Sequence, residues 1–222
     1  MYFIKKIFSF FLPWPLRRRY LNWVFGYEID PSANIGWAWV FPKKLIMKEK
    51  SCIRHLTIAI HLDIINIGAY SSIGRSNWIT GFPSNISSGH FAHQHNRKPE
   101  LHIGKHSAIT KNHHLDCTDM IQIGDFVTVA GYQSQLLTHS INLTDNRQDS
   151  RPIFIGDYSF VSTNVVILGG ASLPAYSILG AKSLLNKEYE TPWMLYAGNP
   201  ARPVKEVSKN AKYFQRTVGY VV

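Results

Sequence analysis

The chain has 222 residues, enough for one domain with a full core, and its 45% hydrophobic and 17% charged residues exclude wholesale disorder. A formal charge of +10 favours anionic partners or an acidic membrane surface, but no nucleic-acid-binding motif accompanies it, so nucleic acid is not expected. Cys52 and Cys117 make no disulfide framework and lack metal-type spacing, which points to a reducing cytoplasm.

Residues 1–28 form an amphipathic segment rich in basic and aromatic residues. Ile4, Ile7, Phe8, Phe11 and Leu12 share one helical face. Pro13 and Pro15 then break the helix, Arg17, Arg18 and Arg19 follow, and Leu16, Tyr20, Trp23, Val24 and Tyr27 make a second apolar face. The apolar run from Ile7 to Leu16 falls well short of the ~20 residues that span a bilayer, and no small-residue cleavage site marks a secretory signal. Two readings stand side by side: an interfacial anchor on the inner face of the cytoplasmic membrane, or a cap over open strand edges.

From residue 29 to 190 an aliphatic residue recurs every six positions. The run is cleanest at Ile155, Val161, Ile167, Leu173, Leu179 and Leu185, with Ser159, Val165, Ala171, Ser177 and Ser183 four places after the openers. Ile29 and Ile35, then Ile67, Ile73 and Ile79, then Ile103, Ile109, Leu115 and Ile121 keep the same spacing, and a two-residue slip leads to Ile123 and Val129. Helices repeat every 3.6 residues and strands every 2, so a period of six means short strands that each turn a corner. That is a parallel β-helix of hexapeptide repeats, an all-β fold with openers stacked inside a triangular prism. Trp37, Trp39 and Phe41 are too large for that interior and are expected to face outward.

Two segments interrupt the repeats. Residues 81–100 carry His90, His93, His95, Arg97 and Lys98; the histidine spacing raises a metal site, but a solvated or acceptor-binding loop is the expectation and no metal is assigned. Residues 138–152, rich in turn formers, are expected to be an exposed loop. In the tail, residues 191–222, Pro192, Pro200 and Pro203 speak against regular strands, and a short helix is expected over residues 209–216.

The repeats, Thr138-His139-Ser140 at the start of the second interruption, and Gly198-Asn199-Pro200-Ala201 near the end resemble the left-handed β-helix hexapeptide-repeat acyltransferases, with the nearest likeness to polysaccharide-biosynthesis O-acetyltransferases. The left hand is implied by this resemblance alone. So are acetyl-CoA as co-substrate, a sugar acceptor, and a homotrimer with sites between subunits. His139 matches the family's catalytic histidine, and an imidazole of ordinary pKa near 6.5 suits a general base for a sugar hydroxyl. By the same resemblance Thr163 would serve the thioester, and Ala181, Asn186, Lys187, Arg202 and Lys205 would hold the CoA arm and phosphates. For the acceptor, the candidates are Asp116 or Asn112, with Asn146 and Arg147 in the interrupting loop; Asp116 also stands as a residue that orients His139 from a neighbouring subunit. A γ-carbonic-anhydrase-like zinc enzyme and a non-catalytic membrane-associated scaffold are the alternatives.

Overall fold

A computed structural model describes residues 2–84, 86 and 88–221. The repeats close into a parallel β-helix with three faces. Face A begins at Glu28–Ile29 and has seven strands, face B begins at Asn34–Ile35 and has nine, and face C begins at Trp39–Phe41 and has seven. The openers of the cleanest run are at most 2% exposed, and the small residues four places on are at most 1% exposed. Each buried aliphatic side chain contributes ~1.5–3 kcal/mol. A one-residue shift of any strand would turn its inward side chain outward, so the stack fixes its own register.

The slip after Ile121 has a simple cause. Face A strands present two inward residues, as Leu101 and Ile103 do over Ile121 and Ile123. Ile103 pairs with Ile123, twenty residues on, whereas Ile155 pairs with Leu173, eighteen on. The two additional residues lie at the corner between faces C and A. There, residues 117–120 occupy the place that Gly169 and Gly170 fill two coils later. This longer corner carries Thr118 and Asp119, which matter below.

At the corner between faces A and B, Tyr70, His106, Phe126, Tyr158, Tyr176 and Trp193 all have left-handed backbone, with φ between 55° and 60°. Bulky side chains rarely sit there. Here their rings stack on one another at centroid distances of 4.4 to 5.1 Å, and each such contact offsets part of the backbone cost by ~0.5–1.5 kcal/mol.

Helix α1 spans Tyr2–Phe10 and α2 spans Trp14–Phe25. Pro15 lies in the first turn of α2, so it opens that helix, where its missing N–H costs nothing. α2 lies across the open end of the prism and supplies donors to the first coil. Trp14 Nε1 donates to the Ala33 carbonyl, the Arg17 guanidinium to Gly36 and Ala38, and Asn22 to Ile29, all within 3.2 Å. Burial holds the Arg17 pKa down at about 10. Of the three large aromatics expected outside, Trp37 is exposed. Phe10 covers Trp39, and Phe41 is only 5% exposed beneath Phe25. The helices, not solvent, take up those rings. Among the described residues no helix is long and apolar enough to cross a membrane.

The tail departs from expectation as well. Met194–Gly198 continues face B beyond Ile178–Leu179 and pairs antiparallel with Ala201–Glu206. Pro203 is accommodated because it lies on an edge strand beside an irregularity at Leu195 and Tyr196. The helix expected over residues 209–216 shrinks to a 3₁₀ turn, Lys212–Gln215. Its Phe214 is buried against Tyr176 and Trp193, and Tyr213 Oη donates to the Ser159 carbonyl at 3.0 Å. The chain then returns along the A–B corner as far as His106, where Gly219 lies too close for any Cβ.

Candidate active site

The segment expected as an exposed loop is an antiparallel hairpin, His139–Asn142 with Arg147–Ser150. It rises from the corner between faces C and A, after the strand Gln135–Leu137. Its stem is fixed from several sides. Thr138 is buried; its hydroxyl donates to the Asp116 carbonyl at 2.7 Å and accepts from the Asp119 amide at 2.9 Å. The Arg151 amide donates to the Thr138 carbonyl. On the other side, a Cβ at Gly169 would come within 2.5 Å of that same carbonyl, so only glycine lets the next coil pack here.

His139 Nδ1 is hydrogen-bonded to Asp116 Oδ2. The second oxygen of Asp116 accepts from the Thr118 amide at 3.1 Å and the Thr118 hydroxyl at 2.7 Å. A carboxylate only accepts, so the proton belongs on Nδ1 and the lone pair on Nε2. The hydrogen bond to Asp116 raises the His139 pKa above its ordinary value, and the neighbouring charge adds to this against the opposing effect of burial. Burial pushes the Asp116 carboxyl up, but the hydrogen bonds from His139 and Thr118 outweigh it and leave the carboxyl below its ordinary value. The imidazole is 42% exposed and no described residue bonds its Nε2.

His139 lines a cleft of about 460 Å³ on the outer side of face C. Thr80, Asp116 and Leu137 form its floor, and Phe82, Phe91 and Gln148 form its walls. The Phe91 ring meets His139 edge-on at 6.0 Å. Phe91 belongs to segment 81–100, which docks onto the hairpin. Gln94 exchanges two hydrogen bonds of 3.0 Å with the Ser150 backbone. His93 Nε2 lies 2.6 Å from Asp149, and the Arg97 guanidinium donates to the Phe82 and Thr118 carbonyls while stacking 4.8 Å from Phe91. Among the described residues no three His, Cys, Asp or Glu side chains gather as a metal would require.

The other sequence candidates fall in distinct places. Asp116 is bonded to His139 of its own chain rather than to that of a neighbouring subunit, and both its oxygens carry hydrogen bonds. Asn112 is a left-handed corner residue between faces B and C, with φ of 55°; Asn is tolerated there for backbone reasons, and its corner is remote from His139. Asn146 and Arg147 are at the hairpin tip, where Arg147 pairs with Asp145 at 3.2 Å. Thr163 and Ala181 share the B–C corner with Asn112, and Thr163 Oγ1 is held by the backbone of Tyr132. They lie at the far end of the face C strands from His139, so one chain does not bring them to it. Asn186 and Lys187 lie on the His139 corner, two coils on, with the Lys187 ammonium over the Tyr189 ring. Arg202 and Lys205 are on the final strand of face B. Thr118, Phe91, Gln94 and Gly169 had no signal in the sequence, since their partners lie between 2 and 56 residues away at no common spacing.

No family model matches the chain. It is 26% identical over 151 residues to the galactoside O-acetyltransferase of Escherichia coli (strain K12), covering 65% of this chain and 68% of that protein. Among solved structures, a maltose O-acetyltransferase from Clostridium difficile 630 superposes with a TM-score of 0.52 at 19% identity, over 64% of this chain and 70% of that one. A polysialic acid O-acetyltransferase superposes at 0.53 with 15% identity, over 86% and 90%. These two share the fold, a left-handed coil. In its repeat pattern, its coil and its curated relative the chain is similar to the hexapeptide-repeat acyltransferases.

Proposed function

We propose that the chain is an acetyl-CoA-dependent O-acetyltransferase in which His139 is the general base and the acceptor is a sugar of a cell-surface polysaccharide or its lipid-linked precursor. The observation that carries this reading is the Asp116–His139 pair, with Nε2 unbonded and the imidazole lining a cleft of sugar size. Nε2 takes the proton of the acceptor hydroxyl as the oxygen attacks the thioester carbonyl. The C–S bond then breaks, and the proton passes from Nε2 to the departing thiolate. Asp116 keeps Nδ1 protonated throughout and stabilises the imidazolium. Base assistance of this kind is worth roughly 10²–10⁴ in rate.

The B–C corner suits an extended amide arm such as that of CoA. Thr163, Ala181 and Gly198 follow one another there with little side-chain bulk, and Arg202 stands beyond them. Because that corner and the hairpin are apart in one chain, the reading includes a homotrimer in which one subunit's corner faces the next subunit's His139. It also includes peripheral contact of residues 1–28 with an anionic membrane. Purified protein with acetyl-CoA and a simple galactoside tests the reaction directly: wild type should release free thiol in step with acetylated sugar, and His139→Ala should lose at least about a hundredfold. Equal rates for the two would end the proposal.

A further inference from the structure

Helix α1 is inside out. Lys6, Ser9 and Phe10 face the protein, with Phe10 stacked on Trp39 and the Lys6 ammonium over Phe41. Ile4, Ile7, Phe8 and Phe11, the apolar stripe, face solvent, and Phe11 is 80% exposed. An amphipathic helix ordinarily hides such a stripe. α2 shows the same arrangement. Arg17 and Leu21 are buried against the coil, while Leu16, Arg19 and Trp23 lie on the opposite side and Trp23 is 84% exposed. Since α2 crosses the open end of the prism, that opposite side looks away along the coil axis. Exposed Lys5 and Arg19 border the apolar surface, in a chain of net charge +10. Apolar stripe and cationic rim together match the interface of an acidic bilayer.

We infer that this capped end seats flat on an anionic lipid surface, so that the coil stands upright and His139 works on a sugar well above the lipid. The docking half stands alone; the acceptor half rests on the acetyl-transfer reading. Four strand pairings along face C lead from Trp39–Phe41 to Gln135–Leu137, the stem of the hairpin. At ~4.8 Å per pairing this is about 19 Å, and the helical layer below adds ~10 Å. The reactive hydroxyl is therefore carried roughly 25–30 Å above the lipid-facing side. The acceptor is a chain of several sugars reaching up from a lipid anchor, not the single sugar joined to the lipid phosphate. Trp78 is exposed on the same face two pairings below the stem, and offers such a chain a flat surface on its way to the cleft.

Sedimentation of the full chain with vesicles tests the docking. Wild type should bind phosphatidylcholine vesicles containing phosphatidylglycerol and not those of phosphatidylcholine alone. The double variant Leu16→Glu, Trp23→Glu should lose roughly a hundredfold in partitioning while keeping its circular dichroism spectrum. Ile141→Glu with Leu143→Glu, on the exposed hairpin tip, should bind as wild type does. Retained binding in the first variant, or lost binding in the second, overturns the inference. So does self-association through the cap without vesicle binding, since a second copy would then cover the stripe.

Energy transfer from a dye on Thr144→Cys, in a Cys52→Ser chain, to a dye on the lipid headgroups reads the height. About 30 Å is expected, and ~10 Å or less would mean a coil lying on its side. Acetylation of methyl galactoside separates the two readings. Transfer without vesicle binding removes the docking and keeps the enzyme. Vesicle binding without transfer keeps the docking and removes the acceptor half.

Discussion

Asp116→Asn is the sharpest perturbation of the site, because the structure decides how the new amide must turn. Thr118 directs two donors, its amide and its hydroxyl, at one oxygen of Asp116. In the variant the amide oxygen takes that position, since the NH₂ group would face two donors there. The NH₂ is then presented to His139 Nδ1. This forces Nδ1 to accept and moves the imidazole proton to Nε2, the atom that must be bare to receive the acceptor's proton. The loss is the base's whole contribution, roughly 10²–10⁴ in kcat, with the KM for acetyl-CoA little changed. Asp116→Ala leaves the imidazole free to choose its tautomer, so it should retain more activity than Asp116→Asn. Steady-state thiol release measures both. An asparagine variant within about threefold of wild type, or an alanine variant far worse than it, would refute the tautomer argument.

The pH profile carries a second expectation. Base function needs neutral imidazole, and the Asp116 hydrogen bond raises the His139 pKa. Wild-type kcat/KM should therefore fall with acid from a point above the ordinary value of about 6.5, and Asp116→Ala should move that limb to lower pH. Gly169→Ala places a Cβ 2.5 Å from the Thr138 carbonyl and must displace the hairpin stem; a loss of at least about tenfold in kcat is expected, larger than for Gly89→Ala, whose Cβ meets nothing within 4 Å. Arg17→Leu removes the guanidinium donors to the Gly36 and Ala38 carbonyls, leaving Gly36 only the Ala38 amide, and should lower stability by ~2–4 kcal/mol in urea melts.

The coil was legible because it obeys one rule: an inward aliphatic residue every six positions leaves no helix or hairpin that satisfies it. The longer corner at residues 117–120 showed only as a slip, since Cys117 and Thr118 are buried and Asp119 and Met120 half-buried there at no repeat position, and so carry no periodic signal. The Asp116–His139 contact joins residues 23 apart, which matches neither the eighteen- nor the twenty-residue coil. Gln94 and Ser150 meet across 56 residues through a docked segment. In α1 the apolar stripe follows from spacing alone; its direction depends on Trp39 and Phe41, whose own covering spacing does not show.

Stacks of identical layers are ordinarily undone from the ends, one layer at a time, because each layer leans only on its neighbours. Here the returning tail lies across the ring column of the A–B corner. It is tied to Ser159 and Phe126, and reaches His106. The outermost coil cannot open until that lashing has been lifted from coils deep in the body. Amide exchange should therefore rise together over residues 106–198 rather than in a gradient from the carboxyl end, and the molecule should come apart there as a block.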